Sequence, residues 1–151
     1  MIALIQRVST AKVTIAGKLY SEIGAGMLIL LGVAESDEIK DAEWLASKVA
    51  KLRIFSDEDG KMNLDVASVN GEIMVVSQFT LLADPSKGNR PGYSFAARPE
   101  KAIPLYESFV SMLSEINGKK VETGLFGADM QVMLCNDGPV TLAVDSRIHM
   151  K

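Results

Sequence analysis

Met27 to Val33 runs for seven residues without a charged or hydrogen-bonding side chain. A run of that length with no polar face reads as a β-strand covered on both sides, which commits the chain to a layered fold with a sheet in the middle. Glu72 to Leu82 is a second strongly apolar segment, interrupted by Ser77, Gln78 and Thr80 and stopped by Asp84 and Pro85. The longest stretch free of charged or strongly polar residues, Ile23 to Ala34, has 12 residues. Spanning a bilayer takes roughly 18, so no transmembrane helix is expected.

Other segments fit around these two. Ile2 to Val8 and Lys12 to Ile15 read as strands parted by Ser9, Thr10 and Ala11. Ser36, Asp37 and Glu38 offer an N-cap and acidic charge to a helix from about Ile39 to Lys51, where Ile39, Ala42, Leu45, Val49 and Leu52 recur at helical spacing. Leu52 to Phe55 reads as a short strand before the Asp57 to Lys61 turn, which lacks the EF-hand pattern. Ala102, Tyr106, Phe109 and Leu113 mark a second helix ended by Asn117 and Gly118. Pro104 is tolerable only near a first turn, so this helix starts later than Pro99 or bends. Gln131 to Cys135 and Val140 to Asp145 read as strands on either side of Asn136 to Pro139. The order predicts an α+β fold in which mostly antiparallel β-sheets form a barrel-like core of about seven strands with two main helices, residues 1–151 making a single domain. A strand edge left open needs cover, and a second subunit could supply it by dimerisation.

The residue inventory removes several chemistries. Cys135 is the sole cysteine, so one chain can build neither a disulfide nor a thiolate zinc cage. His149, also alone, sits three residues from the end and reads as a surface residue instead of a rigidly held base. There is no phosphate-binding glycine loop, and Gly24 to Gly26 leads into a strand instead of a helix. Neither a metal nor an organic cofactor is expected. The opening MIALIQRVST lacks the basic-then-apolar plan of a secretory signal, so the expected location is cytoplasmic. A net charge of −3 argues against coating nucleic acid through bulk positive potential. Between Asp84 and Lys101, however, Lys87, Arg90, Arg98 and Lys101 face only two acidic residues, Asp84 and Glu100, and this loop could engage a few phosphates.

Two segments carry chemistry. Ser77, Gln78, Phe79 and Thr80 place two hydroxyls, an amide and an aromatic ring at the end of an apolar strand. Read alone they satisfy nearby backbone, or they line a pocket in which Phe79 is a wall and Ser77 and Gln78 donate to a substrate carbonyl or ribose. Asn136 to Thr141 looks first like a β-turn, but Pro139 removes a donor at the head of a strand, restricts Gly138 and permits a cis bond.

SQFTL at Ser77 to Leu81, GNRP at Gly88 to Pro91, TGLFGADM at Thr123 to Met130 and NDGPVT at Asn136 to Thr141 together resemble the signature blocks of the D-aminoacyl-tRNA deacylases, also called D-tyrosyl-tRNA deacylases. The likeness spans essentially the whole chain, including Ile5 to Val8, Leu30 to Val33, Lys51 to Phe55 and Asp59 to Asn63. It implies a homodimeric editing enzyme that hydrolyses the ester between a D-amino acid and the 3′ end of tRNA, and that also removes glycine wrongly attached to alanine tRNA. The family's Gly-cisPro motif maps onto Gly138 and Pro139 and is inserted into the partner subunit's active site. Ser77, Gln78, Phe79 and Thr80 correspond to the other catalytic motif, and Lys87, Arg90 and Arg98 are candidates for phosphate contact. The implied partners are tRNA and a second copy of the chain, with no membrane and no DNA. Family members often carry Ser-Phe directly after the Arg-Pro, whereas Gly92, Tyr93, Ser94 and Phe95 follow Pro91 here.

Such an enzyme must accept many D-residues while refusing every L-residue. A rigid backbone wall against Cα does this whatever the side chain, and it lets glycine pass. The resemblance suggests RNA-assisted hydrolysis, in which the terminal 2′-hydroxyl helps activate water while Ser77, Gln78 and amides near Phe79 steady the carbonyl. Thr80 has no credible base and reads as a positioning residue, not a nucleophile. Two alternatives stay open: a hydrolase of small esters or N-acyl-D-amino acids without RNA, and a non-catalytic dimeric binding module in which NDGP is only a turn.

Overall fold

The computed structural model describes residues 1–150. A long first strand, β1 (Ile2–Ile15), organises the sheet. On one edge its first half pairs antiparallel with β3 (Gly26–Gly32) and its second half with β2 (Lys18–Ile23). Along the other edge it pairs with β8 (Gln131–Asp145) from Ile2 to Thr14. On its far side β3 pairs in parallel with β6 (Glu72–Ser77), and β6 in parallel with β7 (Glu122–Thr123). Parallel neighbours need long crossovers. Helix α1 (Ile39–Ala50) and a small ribbon of β4 (Phe55–Ser56) and β5 (Met62–Leu64) lie between β3 and β6 in the chain, and α2 (Pro99–Asn117) lies between β6 and β7. The Ser21 hydroxyl donates to the Thr123 carbonyl at 2.7 Å, tying β2 to β7 and curling the sheet into a nearly closed barrel. The fold is therefore α+β, with β1–β2, β1–β3 and β1–β8 antiparallel and the β3–β6–β7 portion parallel.

The two central runs are covered on both faces. Met27, Ile29 and Leu31 with Ile73 and Val75 pack under the helices, against Leu45, Val49, Phe109 and Leu113. Leu28, Met74 and Val76 point the other way, into a second cluster with Val8, Ala11, Val13 and Ile23. Each completely buried side chain of this size, Phe109 or Leu45 for example, contributes about 1.5–3 kcal/mol relative to exposure. A polar knot closes one end. The Met1 ammonium pairs with Asp37 at 2.8 Å and donates to the Ser146 hydroxyl at 2.6 Å, and Ser146 donates to Asp41 at 2.7 Å, joining α3 (Ser146–His149) to α1. Asp41 also accepts the Glu38 N–H at the head of α1.

Several local expectations are corrected. Ser9 to Ala11 and Asn136 to Pro139 do not divide strands; β1 and β8 run through both, absorbing them as register shifts. β2, whose Leu19 and Tyr20 are exposed, was not anticipated. The Glu72 to Leu82 segment leaves the sheet after Ser77 and becomes a 3₁₀ turn at Phe79–Leu82. Leu52 to Phe55 is strand only at its last residue, and Ile39 is exposed instead of facing the core. α2 begins at Pro99 itself and continues through Pro104. A proline at the first helical position loses a donor that has no intrahelical partner in any case. Gly118 ends this helix in the left-handed conformation at φ +67°. Among the described residues, no helix is long and apolar enough to cross a membrane.

Candidate active site

β6 delivers Ser77 to the end of the barrel. Gln78 keeps the sheet register for one more bond, its N–H donating to the Leu31 carbonyl at 2.8 Å, and the 3₁₀ turn follows at once. The return is close at Gly32, where a Cβ would stand 3.1 Å from the Gln78 carbonyl oxygen and 3.2 Å from Leu81 Cβ. The first bond inside the turn runs from Leu81 N–H to the Gln78 carbonyl, so the N–H groups of Phe79 and Thr80 precede it and have no partner within the turn.

β7 lies beside β6, and the chain after it wraps the mouth. Val76, Ser77, Gln78 and Phe79 with Phe126 to Met130 and Val132 enclose a cavity of about 310 Å³. The wrap is tight, since a Cβ on Gly124 would sit 2.6 Å from Met130 Sδ, and Gly127 holds φ +77°. Phe126 is braced edge-on by Tyr106, with ring centroids 6.1 Å apart. The Tyr106 hydroxyl donates to the Val75 carbonyl at 2.8 Å, and burial pushes its phenol well above the usual tyrosine range, keeping it a neutral donor. On the outer side, Phe79 is half exposed and meets Tyr93 edge to face at 5.1 Å, which places the Gly92–Tyr93 loop against the site. Thr80 is exposed, and its hydroxyl accepts from the Gln78 amide.

Gly138 and Pro139 stand elsewhere in the chain's own surface. They form an exposed corner in β8, joined by a cis peptide bond, and do not line the Ser77 cavity. Two side chains grip this corner. Asn136 reaches across it, accepting the Val140 N–H at 2.8 Å and donating to the Val140 carbonyl and the Thr141 hydroxyl. Arg7 donates through Nε to the Asp137 carbonyl at 2.8 Å and through Nη1 to the Ile54 carbonyl at 2.7 Å. Gly138 has φ +146°, and a Cβ there would fall 2.7 Å from Val140 Cγ2.

The structure thus brings Ser77, Gln78 and Phe79 together, puts Thr80 just outside their cavity, and leaves Gly138 and Pro139 apart from them within one chain. Lys87, Arg90 and Arg98 are exposed and outside the cavity. Arg7, Asn136 and the Phe126 to Met130 wall were not singled out as site residues. Arg7 had a signal, a cation in the middle of an apolar strand; the wall had one in its Gly-Leu-Phe-Gly run. His149 is engaged with the Asp145 carbonyl at 2.9 Å, away from all of these groups. Among the described residues, no cluster of three or more His, Cys, Asp or Glu side chains could hold a metal ion.

A nearly closed barrel with helices on one face and a small cavity at the mouth of its parallel strands defines a class of fold. A solved structure described as the "c-Myc DNA Unwinding Element Binding Protein" shares it, with a TM-score of 0.90 and 41% identity over 97% of this chain and 99% of that one. The family model for D-Tyr-tRNA(Tyr) deacylase matches residues 4–145, and the chain belongs to this family. It is 57% identical over 147 residues to the D-aminoacyl-tRNA deacylase of Cytophaga hutchinsonii, covering 97% of this chain and 98% of that protein. It is 58% identical over 147 residues to the one from Flavobacterium psychrophilum, with the same coverage.

Proposed function

We propose that this protein hydrolyses the ester of D-aminoacyl-tRNA, acts on glycine mischarged to alanine tRNA, and rejects L-aminoacyl-tRNA through main chain lent by a second subunit. Membership of the deacylase family supports the reaction class. The observation that carries the stereochemical reading is that the Gly138–Pro139 corner is gripped by Arg7 and Asn136, is exposed, and lies apart from the Ser77 cavity of its own chain. A corner held so firmly and facing outward suits insertion into another copy.

A second copy also answers the open edge. β8 pairs only with β1 among the described residues, and Met133 and Leu134 on it are exposed. A long uncovered strand with apolar side chains invites pairing or burial.

In the composite site, Ser77, Gln78 and the free N–H groups of Phe79 and Thr80 orient the ester carbonyl and stabilise charge developing on its oxygen. The corner's carbonyl oxygens stand where the side chain of an L-residue would project from Cα. A D-residue presents hydrogen there, and so does glycine. No chain residue serves as general base, and the terminal adenosine's 2′-hydroxyl helps activate the attacking water. Lys87, Arg90 and Arg98, exposed on the chain between Ala83 and α2, contact phosphates of the tRNA. The deciding experiment compares deacylation of D-Tyr-tRNA, L-Tyr-tRNA, Gly-tRNA(Ala) and a free D-tyrosine ester. Hydrolysis of the first and third only is expected. Equal activity on the free ester would point to a small-ester hydrolase, and hydrolysis of none to a binding module.

A further inference from the structure

Arg7 connects the Gly138–Pro139 corner to a second surface. Its Nη1 donates to the Ile54 carbonyl, and the residues just before Ile54 border a groove of about 570 Å³ between the end of α1 and the chain that follows it. Trp44 and Leu52 make its apolar part, and Lys48, Lys51 and Arg53 stand around it with one carboxylate, Glu43. None of the three cations is ion-paired among the described residues, whereas Lys40, Lys120 and Arg147 each pair with a neighbouring carboxylate. Arg53 is held in place by neutral acceptors only, the Asn63 backbone and side-chain oxygens at 2.7 and 2.8 Å, so its charge is oriented but not cancelled. The next carboxylate, Asp57, is reached through Asn63 and is already taken by the Asn63 amide and the N–H groups of Asp59 and Lys61.

An apolar floor under a cationic rim, on a chain of net charge −3, matches a sugar-phosphate strand: riboses lie on the floor and phosphates meet the cations. We propose that the Trp44–Lys48–Lys51–Arg53 groove holds the backbone of the tRNA strand that leads away from the ester. It belongs to the subunit that lends its Gly138–Pro139 corner, so one protomer supplies the cavity and the other both the stereochemical wall and the track for the RNA. This inference rests on the deacylase reading above.

The test is the double variant Lys48→Gln/Lys51→Gln, assayed on D-Tyr-tRNA and on the 3′-O-D-tyrosyl ester of adenosine, which is too short to reach the groove. Each phosphate contact on a single strand carries about 0.7 of a logarithmic unit per decade of salt, so removing two should make the variant's salt dependence shallower by about 1.5 units, and extrapolated from about 1 M to about 0.15 M salt this raises its KM for D-Tyr-tRNA on the order of tenfold. Hydrolysis of the adenosine ester should be unchanged. An unaltered KM and salt slope on D-Tyr-tRNA, with wild-type protein active on both substrates, overturns the groove assignment and leaves the deacylase reading intact. Wild-type protein inactive on both removes that reading, and the groove with it. Duplex DNA competing as well as uncharged tRNA, and losing that ability in the variant, would assign the groove to DNA and also overturn the proposal.

Discussion

Arg7 and Asp137 lie 130 positions apart in the chain, and the Arg7 guanidinium donates to the Asp137 carbonyl at 2.8 Å while its other arm holds the Ile54 carbonyl. A planar fork can bridge two carbonyls at once; a lysine ammonium at the same place cannot hold both in fixed geometry. Hydrogen bonds from charged groups contribute about 1.5–3 kcal/mol, and about 1.4 kcal/mol is a factor of ten. Arg7→Lys should therefore cut the ratio of D-Tyr-tRNA to L-Tyr-tRNA hydrolysis at least about tenfold, mainly by admitting the L-substrate. An unchanged ratio in a single-turnover assay would limit Arg7 to bracing the sheet.

Gly138→Ala attacks the same corner from within. The new Cβ would meet Val140 Cγ2 at 2.7 Å and Val140 N at 2.8 Å, at a φ of +146° that L-residues rarely adopt. Strain of this kind costs about 1–3 kcal/mol. Thermal melting should show a stability loss in that range, and the ratio of D-Tyr-tRNA to L-Tyr-tRNA hydrolysis should fall by more, on the order of a hundredfold, as the wall is displaced. A stability loss with the ratio unchanged would mean that the corner is only structural.

Thr80 accepts from the Gln78 amide, and among the described residues neither a carboxylate nor the lone histidine, which is bound to the Asp145 backbone, hydrogen-bonds to its hydroxyl. Thr80→Val should retain kcat within about tenfold of wild type. Mass spectrometry after rapid quenching should find no acyl-enzyme, and a covalent adduct on Thr80 would reverse this assignment.

Leu134 is exposed on the open edge strand. Placing a charge there should oppose burial against a second copy, so Leu134→Arg is expected to sediment as a monomer and to lose deacylation with it. A wild-type protein that is monomeric and active at assay concentration would exclude the composite site.

Asp41 sets an acid limit on stability. Burial works against its ionisation, but the Glu38 N–H, the Ser146 hydroxyl and the Met1 ammonium outweigh it and hold the carboxyl below the usual range. Because the folded value lies below the unfolded one, about 3.9, this contribution is complete above pH ~4 and lost as pH falls through the folded value. Asp41→Asn keeps the Met1–Asp37 pair but weakens the charged hydrogen bonds from the Ser146 hydroxyl and the Glu38 N–H, so it should be destabilised by about 1.5–3 kcal/mol at pH 7 and its stability should vary less with pH below ~4. Urea titrations from pH 7 to pH 2 would check both.

Much of this molecule follows from short-range pattern. Met27 to Val33 and Ile73 to Val76 have side chains of one kind on both faces, so they had to be central strands, and the helical spacing of Ala42, Leu45 and Val49 or Tyr106, Phe109 and Leu113 leaves little choice of element or buried face. The family blocks point to Ser77–Thr80 and Gly138–Pro139 for the same reason, since each is contiguous, although Thr80 falls just outside the cavity. What local pattern could not decide is where the chain pairs with itself. Ser9 to Ala11 and Asn136 to Pro139 look like breaks, yet the ladder between β1 and β8 carries the backbone through both, with Thr10 and Ala11 opposite Cys135 and Leu134 and the Asn136 to Pro139 corner taken up by the register shift between Gln6 and Val8. The cavity wall at Phe126 to Met130 exists because β7 takes a place beside β6, and Arg7 reaches both Ile54 and Asp137 only once three distant segments converge. Side-chain periodicity is set by near neighbours, whereas these contacts depend on register between strands, which only the assembled sheet defines.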